Sequence, residues 1–364
     1  MVFVIAGGKT GGHIYPSIMI AKEMLRANKN TKIHFVGEGR ELERRILEKE
    51  GFYQEKIHTT PLKGMGIKSL VSTLILPVTF IESLKIIIRV KPDGVLGVGG
   101  YSSGMFVLTA ALLGIPCFIH EQNFTPGFAN KLLKFSVKKA FLSYPSSRIF
   151  CGKKGLITGN PVRKEFLNII KKKRNSERFS LLIFGGSQGS SVLNNNLLNS
   201  LEFLKEYFQI LYFYHQTGER EFQIVKDKYE KLGIKSEVKS YFWNIWEYFE
   251  KADLLITRAG ASTISEIMGA GKASILIPFS KSASQHQVEN ALNMKKSGAA
   301  DLLFEEELNG KKLAEKIIFY LLNPSEITRL EENSKKMFIE GAEKRMVDEI
   351  LRYIKRYKIE NRKN

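Results

Sequence analysis

The sequence contains few of the residues that build disulfide or metal frameworks. Its 364 residues include two cysteines, Cys117 and Cys151, too few for a disulfide framework or a four-thiolate zinc site. No Asp-x-Asp or His-x-x-x-His pattern occurs, although there are six histidines. We therefore predict no tightly bound metal and no cofactor, in a chain suited to a reducing cytoplasm.

Long apolar runs are also absent. A membrane-spanning helix needs about 20 consecutive apolar residues, but residues 69–90 are interrupted by Pro77, Glu82 and Lys85. Two interpretations remain for this stretch: a buried helix pair, or an apolar patch ringed by lysines that docks on an anionic membrane. No cationic segment precedes an apolar run at the start, so we expect no signal peptide and a protein that stays inside the cell.

Acidic residues are outnumbered by basic ones, 37 against 56, which gives a net charge of +19. Such a surplus attracts nucleic acid, anionic lipid or phosphorylated substrates. No RNA-binding box, zinc-finger spacing or basic zipper accompanies it, which disfavours nucleic acid. Two stretches carry much of the surplus: residues 56–91, where Glu82 is the single acid, and residues 122–164, which contain none.

The N-terminal stretch VFVIAGGKTGGHIYP lacks two phosphate-binding motifs that it superficially matches. A P-loop needs a glycine where Phe3 stands. A dinucleotide fingerprint that starts at Gly7 needs a second glycine where Lys9 stands. What is present is an apolar strand, a turn with four glycines, and helical apolar spacing over residues 17–25. The pattern predicts an anion-binding turn of another kind.

Apolar strands alternate with helical segments along the chain, which predicts an α/β fold with mainly parallel sheets. The pattern restarts after residues 158–179, a stretch with glycine, proline and a basic run that is typical of a linker. We therefore predict two Rossmann-like domains, residues 1–163 and 164–340, with a C-terminal helix at about 341–364 that packs back on the first. The cleft between the domains is the expected ligand site.

Three glycine turns follow predicted strands, at residues 7–13, 97–104 and 185–191. Backbone N–H groups at a helix start, aided by the helix dipole, can hold phosphate oxygens. Tight strand-to-helix packing explains any one of these turns equally well. Three in one chain favour a substrate with several phosphates, or two phosphorylated substrates.

Polar residues near these turns are candidates for chemistry. His13 is placed to act as a general base or simply to hydrogen-bond within its loop. His120, Glu121 and Asn123 follow a strand, as ligand contacts or as a plain polar turn. In the second half, Glu266 one turn into a helix could accept ribose hydroxyls or face solvent as part of a capping box.

A serine-hydrolase alternative also has to be weighed. Residues 185–189 match the bare Gly-x-Ser-x-Gly elbow, but a hydrolase needs an acid and a histidine downstream on the same sheet. Asp253 and His286 are the plausible pair, and they fall inside the nucleotide-like segment.

Seven ordered motifs together resemble the MurG family of bacterial N-acetylglucosaminyltransferases in peptidoglycan synthesis. The resemblance runs from residue 3 to about residue 300 on GGKTGGHIYP, GVGGYSSG, GIPCFIHEQN, TGNPVR, GGSQGS, RAGASTISEI and PFSKSASQHQVENA. It implies a GT-B fold, two Rossmann-like domains about a central cleft. The family's first turn usually lacks a residue equivalent to Lys9.

The resemblance also implies residue roles. His13 is the candidate base, with Tyr101, His120 and Glu121 as acceptor-side candidates. Arg163 and Ser187 would meet the diphosphate, Glu266 the ribose, and Asn123 and Gln287 the sugar, with Gln285 as the fallback for Gln287. The full set of implied donor contacts is Thr10, Gly11, Gly12, Asn123, Arg163, Ser187, Phe242, Ala261, Ser262, Thr263, Ile264, Ser265, Glu266 and Gln287.

The implied activity is inverting transfer of N-acetylglucosamine from its UDP carrier to the C4 hydroxyl of lipid I, giving lipid II. The first domain would bind acceptor and membrane, and the second UDP-N-acetylglucosamine. The implied partners are both substrates, the anionic cytoplasmic face of the inner membrane and other cell-wall synthesis proteins, without nucleic acid. Alternatives are another GT-B glycolipid glycosyltransferase, a UDP-sugar epimerase, or a non-catalytic binder of polyanions.

Overall fold

The computed structural model describes residues 1–8, 11–59, 68–170, 178–186, 188–280 and 285–361, without the side chains of residues 68–75, 101 and 361. The chain divides into two compact units, Met1–Pro161 with Ile339–Asn364, and Val162–Phe338. The first segment of the first unit therefore ends at Pro161, two residues before the boundary at residue 163 that the sequence suggested. Each unit contains its own parallel sheet.

In the first unit the described residues form a seven-stranded sheet in the order β3-β2-β1-β4-β5-β6-β7, with every pairing parallel. The strands are β1 Val2–Ala6, β2 Lys32–Gly37, β3 Gln54–Lys56, β4 Gly94–Gly97, β5 Cys117–Glu121, β6 Lys139–Leu142 and β7 Gly155–Ile157. The helices are α1 Gly11–Ala27, α2 Glu41–Lys49, α3 Lys68–Val90, α4 Tyr101–Leu112, α5 Phe128–Leu133 and α6 Arg148–Cys151.

In the second unit the described residues form a six-stranded parallel sheet in the order β10-β9-β8-β11-β12-β13. The strands are β8 Phe179–Phe184, β9 Leu211–Gln216, β10 Ser236–Lys239, β11 Leu254–Thr257, β12 Ser274–Leu276 and β13 Asp301–Leu302. The helices are α7 Lys164–Leu167, α8 Ser191–Ser200, α9 Phe222–Lys231, α10 Ile245–Lys251, α11 Ala261–Ala270, α12 His286–Lys296, α13 Gly310–Leu322 and α14 Pro324–Lys336.

Burial explains why the central strands are almost wholly apolar. The side chains of β1 residues 3–6 and of β11 residues 254–256 are fully buried, because helices cover both faces of each sheet. Both sheets run outward from a central strand pair, β1 beside β4 and β8 beside β11. The chain reverses its direction of winding at those pairs, so each is the switch point at which Rossmann-like folds bind ligands.

The last helix, α15 Ala342–Asn361, belongs to the first unit. Its buried face joins the core that contains Phe3 and Ile5, through Met346, Val347, Ile350 and Ile354. Lys358 forms an ion pair with Asp93 at 2.6 Å, just before β4. The helix thus completes one covering layer of the first sheet.

The structure contradicts one of the two interpretations of residues 69–90, the buried helix pair. The expected helix pair is wrong, because Lys68–Val90 is a single helix that continues through Pro77. Of its described side chains, Ile86 and Ile87 are buried, while Val78, Ile81 and Ile88 are about half exposed. No helix in the described part of the chain is long and apolar enough to cross a membrane.

We expect the packing of α15 to dominate the stability of the first unit. Ile350→Ala should lower the free energy of unfolding by about 3 kcal/mol, since it opens a cavity in the core. Lys355→Ala, on the exposed side of the same helix, should change it by less than about 0.5 kcal/mol. Urea unfolding followed by far-ultraviolet circular dichroism measures both changes. Equal effects of the two substitutions would contradict the packing of α15 in the core of the first unit.

Candidate active site

The first two glycine turns meet at the switch point of the first sheet. Gly7 and Gly8 follow β1, and Gly97–Gly100 close β4, its direct neighbour. A Cβ added to Gly7 would lie 2.5 Å from the carbonyl oxygen of Gly99, closer than real Cβ atoms come. The two turns therefore pack backbone against backbone, leaving the starts of α1 and α4 at one sheet edge.

His13 lies in the first turn of α1, half-buried against the second glycine turn. A Cβ on Gly99 would stand 3.0 Å from its Cε1 and 3.3 Å from its Nδ1. Gly99 also has φ of +102°, a conformation that side chains rarely adopt. Glycine at this position thus lets the imidazole ring approach the neighbouring backbone closely.

His120 lies at the end of β5 and is fully buried. Its Nε2 is 3.3 Å from Ser143 Oγ and its Nδ1 is 3.5 Å from Gln122 Nε2. Burial lowers the pKa of His120 to about 3, with a smaller contribution from the nearby His13. The ring is therefore neutral at physiological pH, and it supports the site from within the core.

The Glu121 carboxylate organises the loop that follows β5. Its Oε1 accepts hydrogen bonds from the backbone N–H and the side-chain amide of Asn123, at 2.9 and 3.0 Å. Its Oε2 accepts from Gly127 N and Asn130 Nδ2, both at 2.8 Å. Since Glu121 is itself 3% exposed, it holds Asn123 in place and sets where α5 begins.

Several predicted site residues receive only partial structural description. Gly11 and Gly12 lie at the start of α1, and Tyr101 is the first residue of α4, although its side chain lies outside the described part. Thr10 and Ser187 lie outside the described residues altogether.

Glu43 is a site neighbour that the sequence did not single out. It lies in α2 with 1% of its surface exposed, and its Oε1 would be 3.1 Å from a Cβ on Gly8. Burial raises the pKa of its carboxyl, opposed mainly by a hydrogen bond from the backbone N–H of Arg40. Its spacing after Arg40 is that of a capping-box acid, so the sequence offered no sign of its closeness to the glycine turn.

The third glycine turn occupies the switch point of the second sheet, between β8 and β11. Arg258, at the end of β11, donates to Ser190 Oγ through Nε at 3.1 Å and Nη2 at 2.8 Å, and to the carbonyl of Ile277 through Nη1 at 3.1 Å. It also pairs with the buried Glu305 at 2.5 Å. Arg258 thus fixes the start of α8, a role that the sequence motif alone did not assign.

Helix α11 presents its first residues at the same edge. Ala261, Ser262 and Thr263 are half-exposed, so their backbone N–H groups and hydroxyls are accessible at the helix start. Ile264 is fully buried, and the Ser265 hydroxyl donates to the carbonyl of Ala261 at 2.9 Å. Of the predicted contacts in this segment, residues 261–263 are therefore partly exposed, whereas Ile264 and Ser265 are buried in the core.

Arg163 and Glu266 form a buried ion pair within the second unit. Arg163 Nη2 lies 2.8 Å from Glu266 Oε1, and both side chains are 11% exposed. The guanidinium also sits over the rings of Phe166 and Trp246, at 4.8 and 5.0 Å. Burial raises the pKa of Glu266, while the charge of Arg163 opposes this. The pair places a cation and a carboxylate at the start of α11.

Phe242 and Gln287 are held by specific hydrogen bonds. The side chain of Phe242 is 2% exposed and stacks on Tyr248 with ring centroids 3.8 Å apart. Its backbone N–H donates to Gln216 Oε1 at 2.8 Å, and Gln216 Nε2 donates to the carbonyl of Gly186 at 2.9 Å. Gln287 Oε1 accepts from the backbone N–H of Phe279 at 3.0 Å.

The hydrolase alternative finds no support in this geometry. Asp253 immediately precedes β11, and its carboxylate accepts a hydrogen bond from Ser180 N at 2.8 Å, near the start of β8. It therefore lies at the amino edge of the sheet, opposite the glycine turn. Within the described residues, no group of three or more histidine, cysteine, aspartate or glutamate side chains could hold a metal ion.

Both halves of the chain match glycosyltransferase family models. Residues 2–142 match the glycosyltransferase family 28 N-terminal domain, and residues 180–347 match the family 28 C-terminal domain. A solved structure, MurG of Acinetobacter baumannii, is similar with a TM-score of 0.76 and 25% identity, over 96% of this chain and 99% of that one. The predicted pair of Rossmann-like domains is thereby confirmed.

A UDP-GlcNAc 2-epimerase from Neisseria meningitidis, solved with UDP-GlcNAc, shares the fold at a TM-score of 0.68 with 14% identity, over 97% of this chain and all (100%) of that one. At that identity the likeness concerns the fold alone.

Sequence relatives are much closer. A protein of Syntrophus aciditrophicus is 40% identical over 90% of this chain and 92% of its own length. One of Myxococcus xanthus is 38% identical over 96% and 92%. Both are named UDP-N-acetylglucosamine--N-acetylmuramyl-(pentapeptide) pyrophosphoryl-undecaprenol N-acetylglucosamine transferase. The chain therefore belongs to glycosyltransferase family 28, in the group of these N-acetylglucosamine transferases, as its motifs predicted.

Proposed function

We propose that this protein transfers N-acetylglucosamine from UDP-N-acetylglucosamine to the C4 hydroxyl of lipid I, with inversion, to form lipid II. The observation that carries the proposal is the placement of all three glycine turns at the two switch points, in a chain 40% identical to a transferase named for this reaction. Both substrates contain a diphosphate, and each unit offers helix starts that suit one.

The second unit supplies the groups that suit the donor. The start of α11 and the Arg163 guanidinium can meet the UDP diphosphate, on which negative charge grows as it departs. Glu266 lies beside Arg163 and can accept the ribose hydroxyls. Because Gln216 already occupies the N–H of Phe242, a uracil ring would meet the carbonyl oxygen of that residue. Gln287, held near Phe279, suits a sugar hydroxyl.

The first unit supplies the base and the acceptor groups. In the proposed step the C4 oxygen attacks the anomeric carbon, the bond to the UDP oxygen breaks, and His13 takes the hydroxyl proton. His13 suits this role because it is half-buried at the start of α1, with its ring close to Gly99 of the second glycine turn. His120, buried and neutral, would support the site from behind rather than exchange protons. The starts of α1 and α4 can hold the acceptor diphosphate.

We also propose that the first unit works on the anionic cytoplasmic face of the membrane. The acceptor carries a polyprenyl chain, so the enzyme has to reach a bilayer surface. Helix α4 packs on α3 and α5, and these helices with their connections expose apolar side chains that would otherwise face water: Val78, Ile81, Ile88, Leu108, Leu112, Phe128, Leu132 and Phe135. Lysines and arginines are interspersed with them, as anionic headgroups require. Residues 60–67 of the basic stretch lie outside the described part.

For the base, we expect His13→Ala to retain binding of UDP-N-acetylglucosamine and to lose about 10²- to 10⁴-fold in kcat, the usual contribution of general base catalysis. Thermal shift with the donor and steady-state turnover measure the two effects separately. His34→Ala, half-exposed on β2 of the same unit, is the matched control and should be near normal. Near-normal turnover of His13→Ala would refute the assignment.

For the ribose contact, we expect Glu266→Gln to raise the KM for UDP-N-acetylglucosamine about tenfold or more, the cost of a hydrogen bond to a charged group. With a 2′,3′-dideoxyribose donor the same variant should lose much less, because the partner hydroxyls are gone. Glu250→Gln, an exposed carboxylate, serves as control. Equal losses with both donors would instead indicate that Glu266 acts only by positioning Arg163.

For the membrane surface, we expect the double variant Leu112→Glu, Phe135→Glu to lose about tenfold or more in binding to phosphatidylglycerol vesicles. These side chains are 70% and 77% exposed, so the fold should tolerate the change. The control is Ile224→Glu, Leu322→Glu, equally exposed apolar positions in the second unit. Cosedimentation gives the affinities, and added salt should weaken wild-type binding. Equal losses in both double variants would count against this surface.

A further inference from the structure

An apolar cavity of about 130 Å³ opens in the first unit among α3, α4 and α5. Its apolar lining includes Leu76, Met105, Leu108, Ala129, Leu132 and Leu133. Leu108 and Leu132 are 38% and 58% exposed, so the cavity is open to the surface rather than sealed in the core. An open apolar pocket of this kind is more stable when an apolar group fills it.

The polar side chains in the lining are turned to other partners. Thr59 Oγ1 donates to Glu38 Oε1 at 3.2 Å. Thr79 Oγ1 donates to the backbone carbonyl of His58. Each hydroxyl proton is thus used within the protein, so a polar guest would lose its hydration without finding new hydrogen-bond donors. The chemistry of the wall selects a hydrocarbon.

The position of the cavity connects it to the acceptor-side motifs. Helix α4 starts at Tyr101, directly after the second glycine turn, and contributes Gly104, Met105 and Leu108 to the wall, within two turns of that start. Helix α5 contributes Ala129, Leu132 and Leu133 to the lining, and Glu121 accepts a hydrogen bond from the N–H of Gly127 just before this helix. The part of the lining that α4 contributes therefore extends from a segment proposed to hold the acceptor diphosphate.

Helix α5 and the residue after it also carry two cations, on a face other than the one that lines the cavity. Lys131 and Lys134, on and just after α5, place their ammonium groups 5.5 and 4.6 Å from the ring centre of Phe150. A ligand that combines an apolar chain with a diphosphate would match a hydrocarbon pocket close to the start of α4, where backbone N–H groups can hold phosphate oxygens. The bilayer's acyl chains are the competing hydrocarbon, but they are not attached to a diphosphate.

We propose that this cavity receives the isoprenoid units of the acceptor next to its diphosphate, so that the enzyme recognises the polyprenyl chain directly. The inference rests on the proposed function and deepens it. The size is suitable, because an apolar protein cavity of about 150 Å³ holds a benzene molecule, and one isoprene unit has about the same bulk. By binding the isoprene units next to the diphosphate, the cavity favours acceptors that carry a prenyl chain. This preference does not depend on docking to the membrane.

The test compares two water-soluble lipid I analogues that differ only in the group on the diphosphate, geranyl or methyl. Wild-type enzyme should favour the geranyl acceptor about tenfold in kcat/KM. Ala129→Leu, which fills the cavity, should abolish the preference while leaving the methyl acceptor and the KM for UDP-N-acetylglucosamine unchanged. Leu132→Ala, a change at an exposed wall position that folding should tolerate, should reduce the preference. Leu112→Ala, exposed on α4 but outside the lining, should keep it.

A preference that survives both Ala129→Leu and Leu132→Ala, or the absence of any preference in the wild type, would overturn the proposal. A preference lost equally in Leu112→Ala would assign it to the exposed surface and not to the cavity, which also overturns it. If the wild type transfers sugar to neither acceptor, the proposed function fails, and that result is distinct from failure of the cavity proposal.

Discussion

The site depends on one steric constraint, the close approach of bare backbone at the carboxyl ends of central strands. In the first unit, Gly7 packs against the carbonyl of Gly99, and Gly99 in turn against the ring of His13. A methyl group at either glycine would force the two turns apart. Because the turns follow adjacent strands, this contact brings two helix starts and one imidazole to a single sheet edge.

The second unit combines a similar close packing of a glycine turn with two ion pairs. In its third glycine turn, Gly189 has no room for a side chain, since it packs on the backbone of Thr217. Around it, Arg258 and Arg163 are each buried against a carboxylate. A buried ion pair adds little net stability; in the proposed function, the Arg163–Glu266 pair offers the donor a cation and a carboxylate close together.

Much of the fold was predictable from the sequence, because the long buried strands and glycine turns have strong local patterns. Strands β1, β4, β8 and β11 and the restart in the second half all appear as predicted. The strands β3, β6, β7 and β13 were missed, since they are two to four residues long and none of the three glycine turns follows them to mark where they end. Pro77 suggested a break in a helix that in fact continues.

The site was predictable to a different degree. The motifs pointed to the segments of the candidate site, but the contacts of Glu43, Gln216 and Arg258 join elements distant in sequence, and no local pattern reveals those. Likewise the sequence placed Glu121 among the acceptor-side candidates, whereas the structure has its carboxylate holding the loop around Asn123 and the start of α5. The role of a side chain such as Glu121 depends on its hydrogen bonds to other loops and helices, and those bonds can be seen only in the three-dimensional structure.

The central claim is that two phosphate-binding units cooperate in sugar transfer between two diphosphate substrates. The most direct measurement incubates the protein with UDP-N-acetylglucosamine and a soluble lipid I analogue, and determines the products by mass spectrometry and the linkage by NMR. The account predicts release of UDP together with a β-linked disaccharide at the C4 position. Release of UDP without disaccharide, or conversion of the donor to its C2 epimer, would contradict it.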